Sequence, residues 1–269
     1  MNFHSDEWIM DRVREHYNEA LNYFPEDRIV CIVLQGSQNY GLETMYSDVD
    51  TKLILTPTFA DIAMNRQPIS TTHVRDDNSH TDWKDIRLML KTFRSCNLNF
   101  LEILFSPYCI INPLYAKEWN RLIQDNELIA NYDPCKAVKT MCGIARRKYE
   151  QMEHVSPSHH DDIEKFGYSP KELHHLFRVE EYIERYISGE LYADCLLTNQ
   201  ADYLKSVKQG CYTLGDARWM AKVAIDHINK MCDDFLAKNN IEVNTDINYL
   251  LDDVQYNIMK LAIKKEIGD

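Results

Sequence analysis

Residues 34–50 read LQGSQNYGLETMYSDVD and concentrate the chemistry of the chain. Gly36 and Ser37 form a turn, Gly41 follows, and Asp48 and Asp50 stand two residues apart. Each part suits transfer of a phosphorus-containing group. Gly36 has no side chain to keep the backbone from phosphate oxygens. Ser37 adds a hydroxyl donor, and a helix starting near it would offer free N–H groups to an anion. On a strand, Asp48 and Asp50 point the same way, because side chains repeat with period two. Two oxygen donors on one face suit Mg²⁺, with substrate phosphate filling its remaining positions. Two such ions can stabilise both the attacking and the leaving oxygen. Lys52 shares that face and would touch phosphate or pair with an aspartate. A Gly-Ser turn or an isolated D-x-D is common, but glycine is scarce here, 8 in 269, and two fall in this loop. The motif is not a P-loop, since G-x-x-x-x-G-K-[ST] occurs nowhere in the chain.

The elements that position these residues follow from hydrophobic spacing. Trp8, Ile9, Val13, Tyr17, Ala20 and Leu21 recur at helical steps, with Ser5 and Asp6 as caps and Pro25 as a stop. Residues 29–34, IVCIVL, form an unbroken apolar run expected of a strand buried on both faces. In 49–55, Val49, Thr51, Leu53 and Leu55 share one face, and Asp48, Asp50 and Lys52 the other. Residues 60–80 read as polar and irregular. A third extended piece takes in Thr81 to Lys84, ahead of a helix carrying Ile86, Leu88, Met89, Leu90 and Phe93. Helical periodicity then dominates 114–129, 134–153, 170–188, 213–238 and 246–265, punctuated by Pro113, Pro134, Pro157 and Pro170. The expected organisation is a mixed α+β half, 1–112, and a helical half, 113–269. The last helix, with Leu250, Leu251, Val254, Ile258, Leu261 and Ile263, is a core-packing surface or a homodimer surface.

Composition narrows the function. The chain has 269 residues, 42 acidic against 30 basic, a formal charge of −12, 45% apolar and 27% charged residues. Such a chain is globular rather than disordered or fibrous. An acidic body excludes binding to nucleic acid by general electrostatics, though an RNA acceptor brought to a local site stays open. No run approaches the 18 apolar residues of a membrane span, and the first residues lack the pattern of a signal peptide, so a cytoplasmic protein is expected. The eight cysteines are scattered without any C-x-x-C pair and read as small core hydrophobes. His159-His160-Asp161-Asp162 has a metal-like composition, but adjacent side chains point apart, as in a solvated loop.

Several blocks together resemble a known family. Gly36-Ser37-x-x-x-Gly41 followed by Ser47-Asp48-Val49-Asp50 looks like the predicted nucleotidyltransferases of the DNA polymerase-β superfamily, in the branch of bacteria and phages that reads GSRAYGL…SDYD. Residues 85–88, DIRL, and 96–107, CNLNFLEILFSP, resemble its DLRKF…NPNxLELLFSP segment, with Leu98 in place of proline. Residues 167–178, GYSPKELHHLFR, resemble its GY-x-x-K-x-x-x-H-x-x-R block. Gly189-Glu190 with 204–210, LKSVKQG, echo its later GE…LL-x-I-K-x-G segment. The resemblance spans most of 30–215.

It implies a polymerase-β-like palm, a mixed sheet with flanking helices, followed by a helical domain. It implies transfer of an NMP from an NTP to a hydroxyl acceptor, with pyrophosphate released and Mg²⁺ as cofactor. The acceptor is left open between RNA, a small molecule and a protein. Gly36 and Ser37 would hold phosphates, and Asp48 and Asp50 the metals. A third carboxylate is implied on a neighbouring strand, completing the metal site or taking the acceptor's proton. Asp82 is the first choice for it, and Asp85, which could equally cap the next helix, stands beside it. Glu102 is placed by the pattern and could anchor a helix. Lys171, His175 and Arg178, at steps of four and three, lie on one helical stripe that could grip the triphosphate or form an ordinary exposed face. The alternative reading is a nucleotide-binding or partner-binding protein on the same fold, without transfer.

Overall fold

A computed structural model describes residues 3–45, 47–157, 159–239 and 241–268. Two compact units emerge, one from 1–39, 43–132 and 243–269, the other from 40–42 and 133–242. The sequence divides the chain at 112/113. Compactness instead returns the last helix to the first unit, because its apolar stripe needs the helices there.

The first unit begins with α1 (Asp6–Ala20), whose Ser5 cap accepts the Trp8 N–H. Among the described residues its sheet has five strands in the order β3-β4-β2-β1-β5. They are β1 (Ile29–Gln35), β2 (Asp50–Leu55), β3 (Ser70–Val74), β4 (His80–Asp85) and β5 (Cys109–Ile111). β1 runs antiparallel to β2 and β5, β3 antiparallel to β4, and β2 parallel to β4. The registers set Gln35 opposite Asp50, Thr51 opposite Thr81 and Lys52 opposite Asp82.

Those registers sort the sheet's two faces. Ile32, Leu34, Leu53 and Leu55 meet Ile9, Val13 and Ala20 of α1 in one fully buried cluster. His16 of α1 joins them, 1% exposed, with Nδ1 2.9 Å from the Thr51 hydroxyl and 3.1 Å from that of Thr81. Its Nε2 lies 3.2 Å from the Ser79 hydroxyl. A buried imidazole is tolerated when its nitrogens are paired, and here it ties α1 to the adjoining strands β2 and β4. The opposite face carries Asp50, Lys52, His80 and Asp82.

The rest of the first unit is helical: α2 (Phe59–Ala63), α3 (Ile86–Phe93), α4 (Leu98–Leu101), α5 (Ala116–Gln124), α6 (Asn126–Ala130) and, after the second unit, α13 (Thr245–Ile267). α13 packs on α3 and α5 through buried Leu251, Val254 and Ile258. Arg94–Asp252 and Arg121–Asp253 pairs flank that seam. The stripe expected to serve a core or a dimer thus serves a core. Residues 60–80, expected to be irregular, contain part of α2 and all of β3. Four of β3's five residues are exposed on the sheet edge, so no alternation marks it.

The second unit holds α7 (Pro134–Gln151), α8 (His160–Phe166), α9 (Pro170–Ile187), α10 (Tyr192–Leu196), α11 (Ala201–Lys208) and α12 (Leu214–Lys238). α9 is its axis, packed against α7, α10, α11 and α12 through Leu173, Leu176, Tyr182, Ile183 and Tyr186. Ser169 caps α9 and Pro170 occupies its first turn. The fold is mixed α+β with added C-terminal helices. Among the described residues, no helix is long and apolar enough to cross a membrane.

Candidate functional site

β1 delivers the glycine turn and β2 the aspartates to one end of the sheet. Because Gln35 pairs with Asp50, Gly36 leaves β1 where Asp48 and Val49 enter β2. Gly36 has φ +101°, a conformation that side chains disfavour, and a Cβ there would make only an ordinary contact with the Gln38 side-chain oxygen at 4.0 Å. The requirement for glycine is conformational. The expected helix after it is a single 3₁₀ turn, Ser37–Tyr40, too short to present a helix N-terminus. The turn is fixed from outside instead. Buried Glu102 accepts the Gly36 N–H at 3.3 Å, so its role is to hold the glycine turn. The Asn39 amide donates to the Leu34 carbonyl at 3.1 Å and the Ser106 hydroxyl donates to Asn39 at 2.8 Å. Gln38, 2% exposed, donates its amide to the Asp48 carbonyl at 2.7 Å and ties the turn to the aspartates.

Asp48 is exposed just before β2, and Asp50 is half-buried as its first residue. Burial raises the Asp50 carboxyl's pKa, His80 opposes that rise, and the Asp48 charge adds to it. The Asp50 Oδ1 accepts the His80 N–H at 2.8 Å and lies 3.3 Å from the His80 Nδ1. Lys52 is buried and its pKa is lowered by that burial, against the pull of Asp82. Its ammonium lies 3.3 Å from Asp82 Oδ2, contacts the Gln35 side chain and sits 4.5 Å from the centre of the Phe100 ring. Asp82 also accepts the Thr72 hydroxyl at 2.6 Å. Burial opposes its charge, but Thr72 and Lys52 leave its pKa below the ordinary value.

The two candidates for a third carboxylate therefore part company. Asp82 shares the face of Asp50 and Lys52. Asp85 is 2% exposed and caps α3, accepting the Arg87 N–H at 2.8 Å and a two-point pair from its guanidinium. Of the two readings of Asp85, the capping one matches its bonds. Of the metal-like run, expected in a solvated loop, His159 stands at the N-cap of α8, half-buried, and His160, Asp161 and Asp162 form its first turn. There, His159 lies 3.4 Å from Glu172 and His160 3.5 Å from Asp161.

Among the described residues, no three His, Cys, Asp or Glu side chains gather as a metal cluster. Both Asp82 oxygens already have partners, so Asp82 does not complete a three-carboxylate set. Asp48 and Asp50 alone are hard oxygen donors two residues apart, with neighbouring charge that destabilises ionised Asp50. That set fits Mg²⁺, which commonly takes one or two carboxylates and completes its shell with water and substrate phosphate.

Lys171, His175 and Arg178 lie on α9 of the second unit. Lys171 is exposed. Burial, reinforced by His174, Lys148, Arg178 and Lys171, holds His175 well below its ordinary pKa. His175 is thus a neutral hydrogen-bonding group at pH 7. The Arg178 guanidinium lies 3.5 Å from the centre of the Tyr40 ring, which belongs to the same unit. Sequence spacing puts the three on one stripe but does not reveal these different states.

The reading from sequence also misses His80, Thr72, Gln35 and Gln38. His80 and Thr72 become partners of the aspartates through the pairing of β4 with β2 and β3, which a single sequence does not specify.

No family model matches the chain, and no curated protein matches it. Among solved structures, it is similar to a nucleotidyltransferase-like protein from Exiguobacterium sibiricum 255-15, at 11% identity and a TM-score of 0.33, over 86% of this chain and 77% of that one.

Proposed function

We propose that the protein is a Mg²⁺-dependent nucleotidyltransferase that moves an NMP from an NTP to a hydroxyl acceptor and releases pyrophosphate. The observation that supports this reading is the meeting of the Gly36–Ser37 turn with Asp48 and Asp50 at one end of the sheet, locked by Gln38 on the Asp48 carbonyl at 2.7 Å. Gly36 and Ser37 receive the phosphates, the backbone approaching closely and the hydroxyl donating. Asp48 and Asp50 hold the metal, and bound there Mg²⁺ supplies neutralisation of phosphate charge. Lys52, oriented by Asp82 and Gln35, gives a fixed positive charge beneath the reacting phosphate. Asp82 positions Lys52 and stands on the same face to take the acceptor's proton. Positioning and charge stabilisation supply most of the rate for such a displacement. For the second unit taken by itself, Lys171, His175 and Arg178 of α9 remain a proposed anion-binding set.

The Asp48→Asn/Asp50→Asn double variant should lose pyrophosphate release by roughly a hundredfold or more with every NTP. Its circular dichroism and melting temperature should stay close to the parent, because two neighbouring charges are removed and no packing is lost. Unchanged turnover would overturn the assignment.

The pairing of both Asp82 oxygens favours a second reading, a nucleotide-binding protein without transfer. NTP binding that needs Asp48 and Asp50, with no pyrophosphate released under any acceptor, would select it.

A further inference from the structure

A cleft of about 420 Å³ in the first unit abuts Ser47 and Asp48 and shares no lining residue with the Gly36–Ser37 turn. Its volume falls within the range of small-molecule sites. Trp8 of α1 lines it and is 38% exposed. The indole stacks on the His4 ring, with centroids 3.9 Å apart and 14° between planes. The His4 N–H donates to buried Glu43 at 3.0 Å, which anchors the stack. Met45, 57% exposed, adds a soft apolar surface.

The charged lining is one-sided. The Arg12 guanidinium is paired to both Glu15 and Asp77, and Asp48 adds a third carboxylate. Burial works against the Asp77 charge, but hydrogen bonds from Ser79 and Arg12 pull its carboxyl far below the ordinary range. Arg75 reaches Asp77 at 3.6 Å from outside the lining, so two cations meet three carboxylates, and the remaining negative charge attracts an ammonium group and repels a phosphate chain.

We propose that this cleft is the acceptor subsite, and that it takes a small hydroxyl compound carrying a planar ring and an ammonium group. The inference rests on the transferase reading of Asp48. The ring lies against Trp8, the ammonium meets Glu15 and Asp77, and the hydroxyl reaches the Asp48 side of the cleft. In the transfer, the hydroxyl oxygen bonds to the α-phosphorus of the NTP. The bond from that phosphorus to the bridging oxygen breaks, pyrophosphate leaves with the electron pair, and the hydroxyl proton passes to the Asp82 carboxylate, as in the proposed transferase reaction. A nucleic acid acceptor would bring further negative charge to a wall that already carries it.

Tyramine, with a phenol hydroxyl and an amine, is the probe, and hexa-adenylate RNA is its rival. Tyramine should quench the Trp8 share of the fluorescence, read as the difference between the protein and Trp8→Phe, and should support pyrophosphate release. Trp8→Ala should raise the KM for tyramine about tenfold, the effect of losing one aromatic contact, while the KM for NTP changes less than about twofold. Trp8→Phe should restore most of the loss. Glu15→Lys, at an exposed position, should raise the KM for tyramine by a similar factor. Quenching and turnover with hexa-adenylate but not tyramine would overturn the proposal in favour of an RNA acceptor. A protein that releases pyrophosphate through Asp48 and Asp50, yet shows no tyramine quenching, would refute this subsite alone. Tyramine quenching without pyrophosphate from any NTP would refute the transferase reading and the acceptor role with it.

Discussion

Asp82 and Asp85 stand three residues apart with the same side chain, yet their surroundings give them different work. Asp82 is bound by a lysine and a threonine on the face of Asp50, whereas Asp85 caps a helix beneath the sheet. Asp82→Asn should therefore lower kcat by roughly a hundredfold, the scale of a lost proton acceptor or a displaced charge, and should also lower the melting temperature, because buried Lys52 loses its counter-ion. Asp85→Ala should keep kcat and reduce stability by about 1–2 kcal/mol, because it removes a cap and leaves Arg87 without its partner. Kinetics of the two folded variants separate them, and a loss of kcat in Asp85→Ala but not in Asp82→Asn would move the role to Asp85. The aspartate pair and the glycine turn were legible in the sequence because spacing alone fixes their side of a strand. The partners that tune them were not, since His80 and Thr72 reach the aspartates only through pairing between strands far apart in the chain.

The long elements were the legible ones. α1, β1, β2, α3, α7, α9, α12 and α13 all carry apolar residues at their own period, and each forms near its expected position. β3 and β5 did not announce themselves, being a polar edge strand and a three-residue strand. α2 did leave a local signal, the Thr58–Asp61 capping box, within a segment that otherwise looks irregular. α13 was seen as a helix, but its partner was not, because an apolar stripe does not say what it will cover. Its seat on α3 and α5 carries a consequence for stability. Leu251→Ala, at a fully buried position, should destabilise the first unit by about 2–5 kcal/mol, the range for a core leucine. Denaturant unfolding followed by far-ultraviolet circular dichroism measures the loss. A change below about 1 kcal/mol would show that α13 is dispensable to that core.

Across the whole molecule, buried histidines make stability sensitive to acid, His16 and His174 among them beside His175. Burial lowers the pKa of His16 to about 4, and burial likewise lowers that of His174 to about 4, against the hydrogen bond its ring donates to the Leu204 carbonyl. The ordinary value is near 6.5. Above that pH both states are neutral at these sites and nothing is lost. As the pH falls from about 6.5 towards 4, the unfolded chain takes up protons that the folded one refuses, so stability declines. Each histidine accounts for about 3 kcal/mol over that window. Urea midpoints at pH 7, 6 and 5 should fall accordingly, and His16→Asn, which cannot be protonated, should flatten the decline in the first unit. A midpoint independent of pH would contradict the burial of both imidazoles. The division of the chain has one more effect, on the order in which a nascent chain can fold. Nearly all of the second unit is continuous, 133–242, and can close as soon as it leaves the ribosome. The first unit is nearly complete earlier in synthesis but lacks α13, whose residues emerge only after the whole second unit. The sheet that carries Asp48 and Asp50 thus waits, with the surfaces of α3 and α5 uncovered, until α13 arrives, and in that interval it is open to chaperones and to misassembly.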